Sequence, residues 1–116
     1  MSSEIERKFL VDTRAWRPAG PGVDFRQGYL SSVKERVVRV RIAGERAFLT
    51  VKGVTRGLTR SEFEYAIPVK DAAQLLQLCE RPIIQKTRHT ERHGDHDWEI
   101  DVFHGENEGL VIAEIE

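Results

Sequence analysis

Cysteine is nearly absent from this 116-residue chain, with Cys79 the only one. An intramolecular disulfide is therefore excluded, and a reducing cytoplasm is the expected compartment. Long apolar runs are missing too. No stretch approaches the ~18 residues of a membrane-spanning helix, and the start of the chain lacks the basic-then-apolar order of a secretory signal. No membrane partner is expected. An excess of charge of one sign is also lacking: 18 Lys and Arg face 19 Asp and Glu, for a net charge of −1. That balance argues against a broadly basic nucleic-acid binder. Internal repeats and low-complexity segments do not occur. What remains suits one compact domain over residues 1–116. Charged residues make up 32% of it, so where the charges stand matters more than their sum.

Most of the chain alternates. Strands are expected near 3–10, 24–30, 35–43, 46–53, 61–68, 84–91, 97–103 and 109–116, because apolar residues recur there at every second position. Turns are expected at "AGE" (43–45), "TRGLT" (55–59), "RHGD" (92–95) and "HGENEG" (104–109). "RPAGPGV" (17–23) reads as a loop, and "DTRAW" before it as one turn capped by Asp12. The one good helix is "DAAQLLQLC" (71–79), with Asp71 as its cap and Leu75, Leu76, Leu78 and Cys79 as its apolar stripe. Antiparallel strands joined by short turns, with one helix, imply a curved sheet or closed barrel.

Successive side chains of a strand point to opposite faces. On that rule Glu4, Glu6 and Lys8 share one face of the first strand. Arg39 and Arg41 share a face opposite Val38, Val40 and Ile42. Lys52 lies with Phe48 and Thr50. Glu62 and Glu64 oppose Phe63, Tyr65 and Ile67. Lys86 and Arg88 stand together, as do Glu99 with Asp101 and Glu114 with Glu116. Alternation ordinarily means apolar inside and charged outside. Here, however, the signs segregate by strand, and like charges two apart on one face repel. A ligand that brings its own charges would relieve that. Carboxylates cluster around hard divalent cations, and Arg and Lys cluster around phosphate oxygens. Both together specify a metal-bound polyphosphate.

These residues carry a resemblance. "EIERK" (4–8) is similar to the Glu-x-Glu-x-Lys signature of the CYTH, or triphosphate tunnel metalloenzyme, superfamily. "RQGYL" (26–30), the Arg-x-Arg strand (39–41), "TVKG" (50–53), "EFEY" (62–65), "KTR" (86–88), "EIDVF" (99–103) and "AEIE" (113–116) follow in the order of its short bacterial members. The resemblance implies an all-β dominated (α+β) fold: an antiparallel eight-stranded tunnel barrel with a flanking helix. The family pattern runs on beyond "AEIE", so a barrel incomplete at the C-terminus is expected. It implies metal binding by Glu4, Glu6, Glu62, Glu64, Glu114 and Glu116. It implies a substrate lined by Lys8, Arg39, Arg41, Lys52, Lys86 and Arg88, with Glu4, Glu6, Lys8 and Lys52 in catalytic roles. The implied cofactor is Mg2+ or Mn2+, and the partner a triphosphate-containing small molecule, foremost inorganic triphosphate. An adenylyl cyclase and a non-catalytic polyphosphate or nucleotide sensor are the alternatives, and a homodimer is compatible with an open barrel edge.

Other features read more simply. "HTERHGDHD" (89–97) is a polar hairpin tip rather than a metal site. Cys79 is a packing residue. Trp16 and Trp98 are core or loop anchors, and Tyr29 is core or lining.

Overall fold

The computed structural model describes residues 6–115. Eight strands and one helix form in the expected order: β1 Arg7–Leu10, β2 Val23–Ser31, β3 Arg36–Ala43, β4 Arg46–Arg56, β5 Thr59–Ile67, α1 Val69–Gln77, β6 Ile84–His93, β7 His96–Phe103 and β8 Val111–Ile115. The "HGENEG" turn contains a short 3-10 turn at Gly105–Asn107. The β1–β8, β3–β4, β4–β5, β6–β7 and β7–β8 pairings are antiparallel. The hydrogen-bonding order is β1-β8-β7-β6-β2-β3-β4-β5. That series is open, with β1 and β5 at its ends, in keeping with the expected eight-stranded antiparallel fold with one helix. Residues 1–5, expected to begin the first strand, lie outside the described residues, as does Glu116. No helix among the described residues is long and apolar enough to cross a membrane.

Contacts gather the described chain into two compact units, Arg26–Ile83 and Glu6–Phe25 with the residues from Ile84 on. In the first, β3, β4 and β5 pair in register, with Val40 opposite Leu49 and Leu49 opposite Tyr65. One face of this sheet carries Val40, Ile42 and Ala47, buried against Ala72, Leu76 and Cys79 of the helical segment. Val40 is wholly buried, worth about 1.5–3 kcal/mol for a side chain of that size. Cys79 is thus a packing residue, as expected. It sits so close to the sheet that a Cβ on Gly28 would meet Cys79 Cβ at 2.9 Å. The helix differs from expectation at both ends. Its cap position is Pro68, with no side-chain cap bond, and Asp71 lies in the first turn, where it favours the positive end of the helix dipole. Leu78 is 73% exposed, because at 3.6 residues per turn it lies on the far side of the segment from the buried Ala72 and Leu76.

In the second unit β1, β8, β7 and β6 pair in sequence. Ile100, Val111 and Ala113 are buried with Val11, Trp16, Trp98 and Val102 packed on them. The "DTRAW" turn forms as expected: the Ala15 N–H donates to the Asp12 carbonyl at 3.0 Å, and the Arg14 N–H to Asp12 Oδ1 at 2.9 Å. This turn delivers Trp16, whose Nε1 donates to Glu91 Oε2 at 2.9 Å. The hairpin between β6 and β7 turns between His93 and His96. His89 does not belong to that tip. It is 9% exposed and lies within the β6 ladder opposite Ile100.

Candidate active site

The face of Arg26–Ile83 opposite the helix carries the charges. Strand register sets Arg39 opposite Thr50 and Thr50 opposite Glu64, and in the next row Lys52 opposite Glu62. This is not an ordinary wet face. Thr50 is wholly buried, Gln27 is 4% exposed, and Arg39, Arg41, Lys52 and Glu62 are half-buried. Arg41 Nε donates to Gln27 Oε1 at 2.7 Å. Lys52 Nζ lies 3.6 Å from Glu62 Oε1. Arg39 is held only loosely, its Nη2 reaching Thr50 Oγ1 at 3.5 Å. Its Nε is buried and has no hydrogen-bond partner. Glu64 is exposed on the same face.

The charged face of the second unit is more tightly knit. Rows across the ladder set Lys8 beside Glu114 and Glu114 beside Glu99, and in the next row Ile112 beside Asp101 and Asp101 beside Arg88. Lys86 Nζ donates to Asp101 Oδ2 at 2.7 Å. Arg88 forks onto the same carboxylate, from Nε to Oδ1 at 2.8 Å and from Nη2 to Oδ2 at 2.9 Å. Its Nη1 donates to Glu99 Oε2 at 3.2 Å. Lys86 also lies between two rings, 5.7 Å from the centre of Phe25 and 5.5 Å from that of Phe103, and the Arg88 guanidinium covers Phe25 at 4.7 Å. Cations over aromatic faces gain further attraction. Lys8 and Glu6 sit 3.8 Å apart and are more exposed.

These bonds set the ionisation of the pair. Burial disfavours the Arg88 cation, but the hydrogen bond and charge of Asp101, with Glu99 and Glu114, outweigh it and raise its pKa. Burial likewise disfavours the Asp101 carboxylate, but Arg88 and Lys86 hold its pKa below the usual range. Both directions say that the cluster is fully charged near neutral pH.

The sequence expectation that a ligand relieves the repulsion between like charges therefore needs correcting for Lys86 and Arg88. The two bases of β6 are met by the two acids of β7: Arg88 lies directly across from Asp101 and also reaches Glu99, and Lys86, opposite Phe103, reaches Asp101 diagonally. Glu99 and Asp101 show the same alternation as the other acids, and that is the signal that marks them. The sequence expectation leaves them out of the site, although "EIDVF" (99–103) is among the motifs that carry the resemblance.

Donor chemistry for a metal is present in kind. Glu99 and Glu114 stand directly opposite each other on one face, and carboxylate oxygens suit Mg2+ or Mn2+. Among the described residues, however, no three His, Cys, Asp or Glu side chains come together as a metal site. Glu4 and Glu116, two of the expected ligands, lie outside those residues.

A family model described as the CYTH domain matches residues 2–116. The chain belongs to the CYTH domain family. Relatives of this CYTH domain include an inorganic triphosphatase of Acetivibrio thermocellus, 49% identical, which aligns with 100% of this chain and 75% of its own. An inorganic triphosphatase of Nitrosomonas europaea is 37% identical, over 98% of this chain and 76% of its own. Among solved structures, that of the inorganic triphosphatase NE1496 superposes with a TM-score of 0.70 at 35% identity, over 97% of this chain and 75% of its own.

Proposed function

We propose that this CYTH domain is a metal-dependent hydrolase that cleaves inorganic triphosphate to pyrophosphate and phosphate. The observation that carries the reading is Arg39 Nε, a buried guanidinium N–H with no acceptor. Such a group costs about 1–3 kcal/mol when unpaired. A phosphate oxygen is the acceptor for which a guanidinium is best shaped. Arg39 shares its face with Arg41 and Lys52, so a multiply charged anion fits better than a single carboxylate. The triphosphatase relatives narrow the anion to triphosphate.

In this reading Arg39 and Arg41 bind phosphate oxygens and orient the chain of phosphates. Lys52, held beside Glu62, neutralises charge as it develops on the leaving oxygen. Lys8, Lys86 and Arg88, in the second unit, offer phosphate oxygens the same kind of contact. Asp101 fixes Lys86 and Arg88 in place, so less side-chain freedom is lost on binding. Mg2+ or Mn2+ would supply charge neutralisation and a water of lowered pKa, with Glu4, Glu6, Glu114 and Glu116 as its expected carboxylates and Glu62 and Glu64 as those of a second ion or of the attacking water. Phosphoryl transfer asks mainly for positioning and charge stabilisation, which these side chains offer. The lone cysteine suits a reducing, cytoplasmic setting.

The test is phosphate release from inorganic triphosphate, ATP and thiamine triphosphate, with and without Mg2+ and Mn2+. Metal-dependent release, fastest from inorganic triphosphate, is expected. Cyclic AMP from ATP, or tight binding without turnover, would overturn the reading in favour of a cyclase or a sensor. Arg39→Ala should weaken triphosphate binding by about 1.5–3 kcal/mol, as loss of a hydrogen bond to a charged group does.

A further inference from the structure

A cleft of roughly 390 Å3 opens on the second unit, on the face of its sheet opposite the charged one. Its walls are Trp16, Pro18 and Pro21 from the loop after β1, and Val102 and Val111 from the sheet. Thr87, His89, His104 and Arg17 also line it. The proposed triphosphatase reaction uses none of these groups.

His89 is the telling residue. It is 9% exposed, it lines the cleft, and its ring meets Trp16 edge-on with centroids 5.7 Å apart. No hydrogen bond to either ring nitrogen exists among the described residues. Neither ring nitrogen is among the polar atoms sealed off without a partner, so they stay open to solvent, and the cleft that His89 lines is the side from which a ligand reaches them. The site is also built with close tolerances. A Cβ on Gly22 would stand 2.8 Å from His89 Cε1 and 2.8 Å from Thr87 Cγ2. Gly22 itself has φ +68°, so the loop seats itself against His89 by virtue of having no side chain there.

His104 is oriented by a relay. Thr87 Oγ1 donates to Asp24 Oδ1 at 2.9 Å and lies 2.8 Å from His104 Nε2. A carboxylate only accepts, and a hydroxyl has one hydrogen. The Thr87 hydrogen therefore goes to Asp24, and His104 Nε2 carries a proton that it donates to Thr87. The nearby acids are already engaged, Asp24 by Thr87 and Glu91 by Trp16 and His93. Arg17 is the charged side chain lining the cleft, anchored through Nη1 to the Thr13 carbonyl at 2.6 Å.

We infer that this cleft is a second binding site, for a small aromatic carboxylate. The ring lies against Trp16, Pro18, Pro21 and Val102, and the carboxylate takes the hydrogen of His89 and the guanidinium of Arg17. Apolar walls with a few convergent polar groups are the usual make-up of a small-molecule site. The site shares no residue with the charged faces, so it stands independently of the triphosphatase reading.

The experiment is a titration of the 116-residue chain followed by the Trp16 indole and His89 imidazole signals in NMR. The probes are benzoate, benzyl alcohol as the ring without charge, and acetate as the charge without ring. Benzoate should shift both signals saturably, with a Kd on the order of millimolar for so small a ligand. Benzyl alcohol and acetate should each bind at least about tenfold more weakly. Arg17→Ala alters an exposed side chain and should keep the fold. It should reduce the preference for benzoate over benzyl alcohol by about tenfold, and His89→Phe should do the same. No saturable shift with benzoate would overturn the inference. So would an equal response to all three probes, or an Arg17→Ala variant that keeps the full preference.

Discussion

Replacing Asp101 with asparagine removes one charge and keeps the shape, and the structure says what that should cost. Asp101 is 4% exposed and Lys86 6%, and the Arg88 side chain is 13% exposed. Three donated hydrogen bonds of 2.7, 2.8 and 2.9 Å converge on its two oxygens. In Asp101→Asn the new amide nitrogen would confront donors with a donor, and Lys86 and Arg88 would lose the carboxylate they share, with Arg88 keeping only the half-exposed Glu99 at 3.2 Å as its acid. Breaking a buried pair from one side costs about 3–5 kcal/mol, a large share of the about 5–15 kcal/mol that holds a domain together. A fall in Tm on the order of 10–20 °C is expected. Urea denaturation should show a lower midpoint with an unchanged slope. The acid limb offers a second readout. The Asp101 pKa is depressed in the folded state, against burial, by Arg88 and Lys86. Its contribution to stability is therefore present above the unfolded value near ~3.9 and is lost as pH falls through the lower folded one. Arg88 has a raised pKa, so its contribution is present throughout the acid and neutral range and adds nothing to the acid limb. Asp101→Asn should accordingly lose stability at neutral pH and show a shallower decline below pH ~4. A loss under about 1 kcal/mol at pH ~7 would refute the argument, because it would mean that solvent already screens the cluster.

Three further outcomes follow from the same geometry. Glu99→Gln should cost under about 1 kcal/mol in urea melts, because Glu99 shares Arg88 but is 45% exposed and solvent screens the pair; a loss as large as that of Asp101→Asn would contradict this ranking. Arg41→Lys should cost about 1–3 kcal/mol in the same assay, since it strands Gln27 Oε1, which accepts from Arg41 Nε at 2.7 Å in a 4%-exposed residue; unchanged stability would show that a water replaces the guanidinium. Gly22→Ala should lower the thermal midpoint by the equivalent of more than about 1 kcal/mol, because φ is +68° and the new Cβ would stand 2.9 Å from the Arg88 carbonyl oxygen; a midpoint equal to wild type would mean that the loop relocates freely.

Period-two alternation made the strands legible because each strand of this chain has one apolar and one polar face. The hairpin residues were legible for the same reason that hairpins form there: "AGE" and "RHGD" interrupt the alternation with glycine. The helix was legible as an apolar stripe but not at its ends. Asp71 satisfies the compositional rule for a cap, yet Pro68 begins the helix by its own fixed backbone angle and displaces the cap three residues upstream. His89 misled for a related reason. It lies in a stretch dense in polar residues, and composition cannot tell a strand interior from a turn four residues away. The alternation that predicts a strand over 84–91 includes His89, and the ladder, with His89 opposite Ile100, decides for it over the reading of 89–97 as a hairpin tip.

Pairing between strands was the least legible feature of the site, and it changes the physics. Reading one strand at a time shows Lys86 and Arg88 as two repelling cations. The ladder puts Asp101 between them and Glu99 beside them, so the repulsion is met inside the protein before any ligand arrives. The same holds in part for Lys52 with Glu62. Arg39 is different: its row partner is Thr50, which offers an oxygen at 3.5 Å and no charge, and its Nε has nothing. The charged residues thus divide by role. Those with carboxylate partners form a fixed frame whose geometry does not depend on a ligand. The arginine without one carries an unsatisfied donor, and gains most when an anion binds. A cluster in which every cation were unpaired would be costly to fold, and one in which every cation were paired would have little left to offer a phosphate. The arrangement here lies between those limits, and on the proposed triphosphatase reading Arg39, whose Nε is unpartnered, is where an anion contributes most.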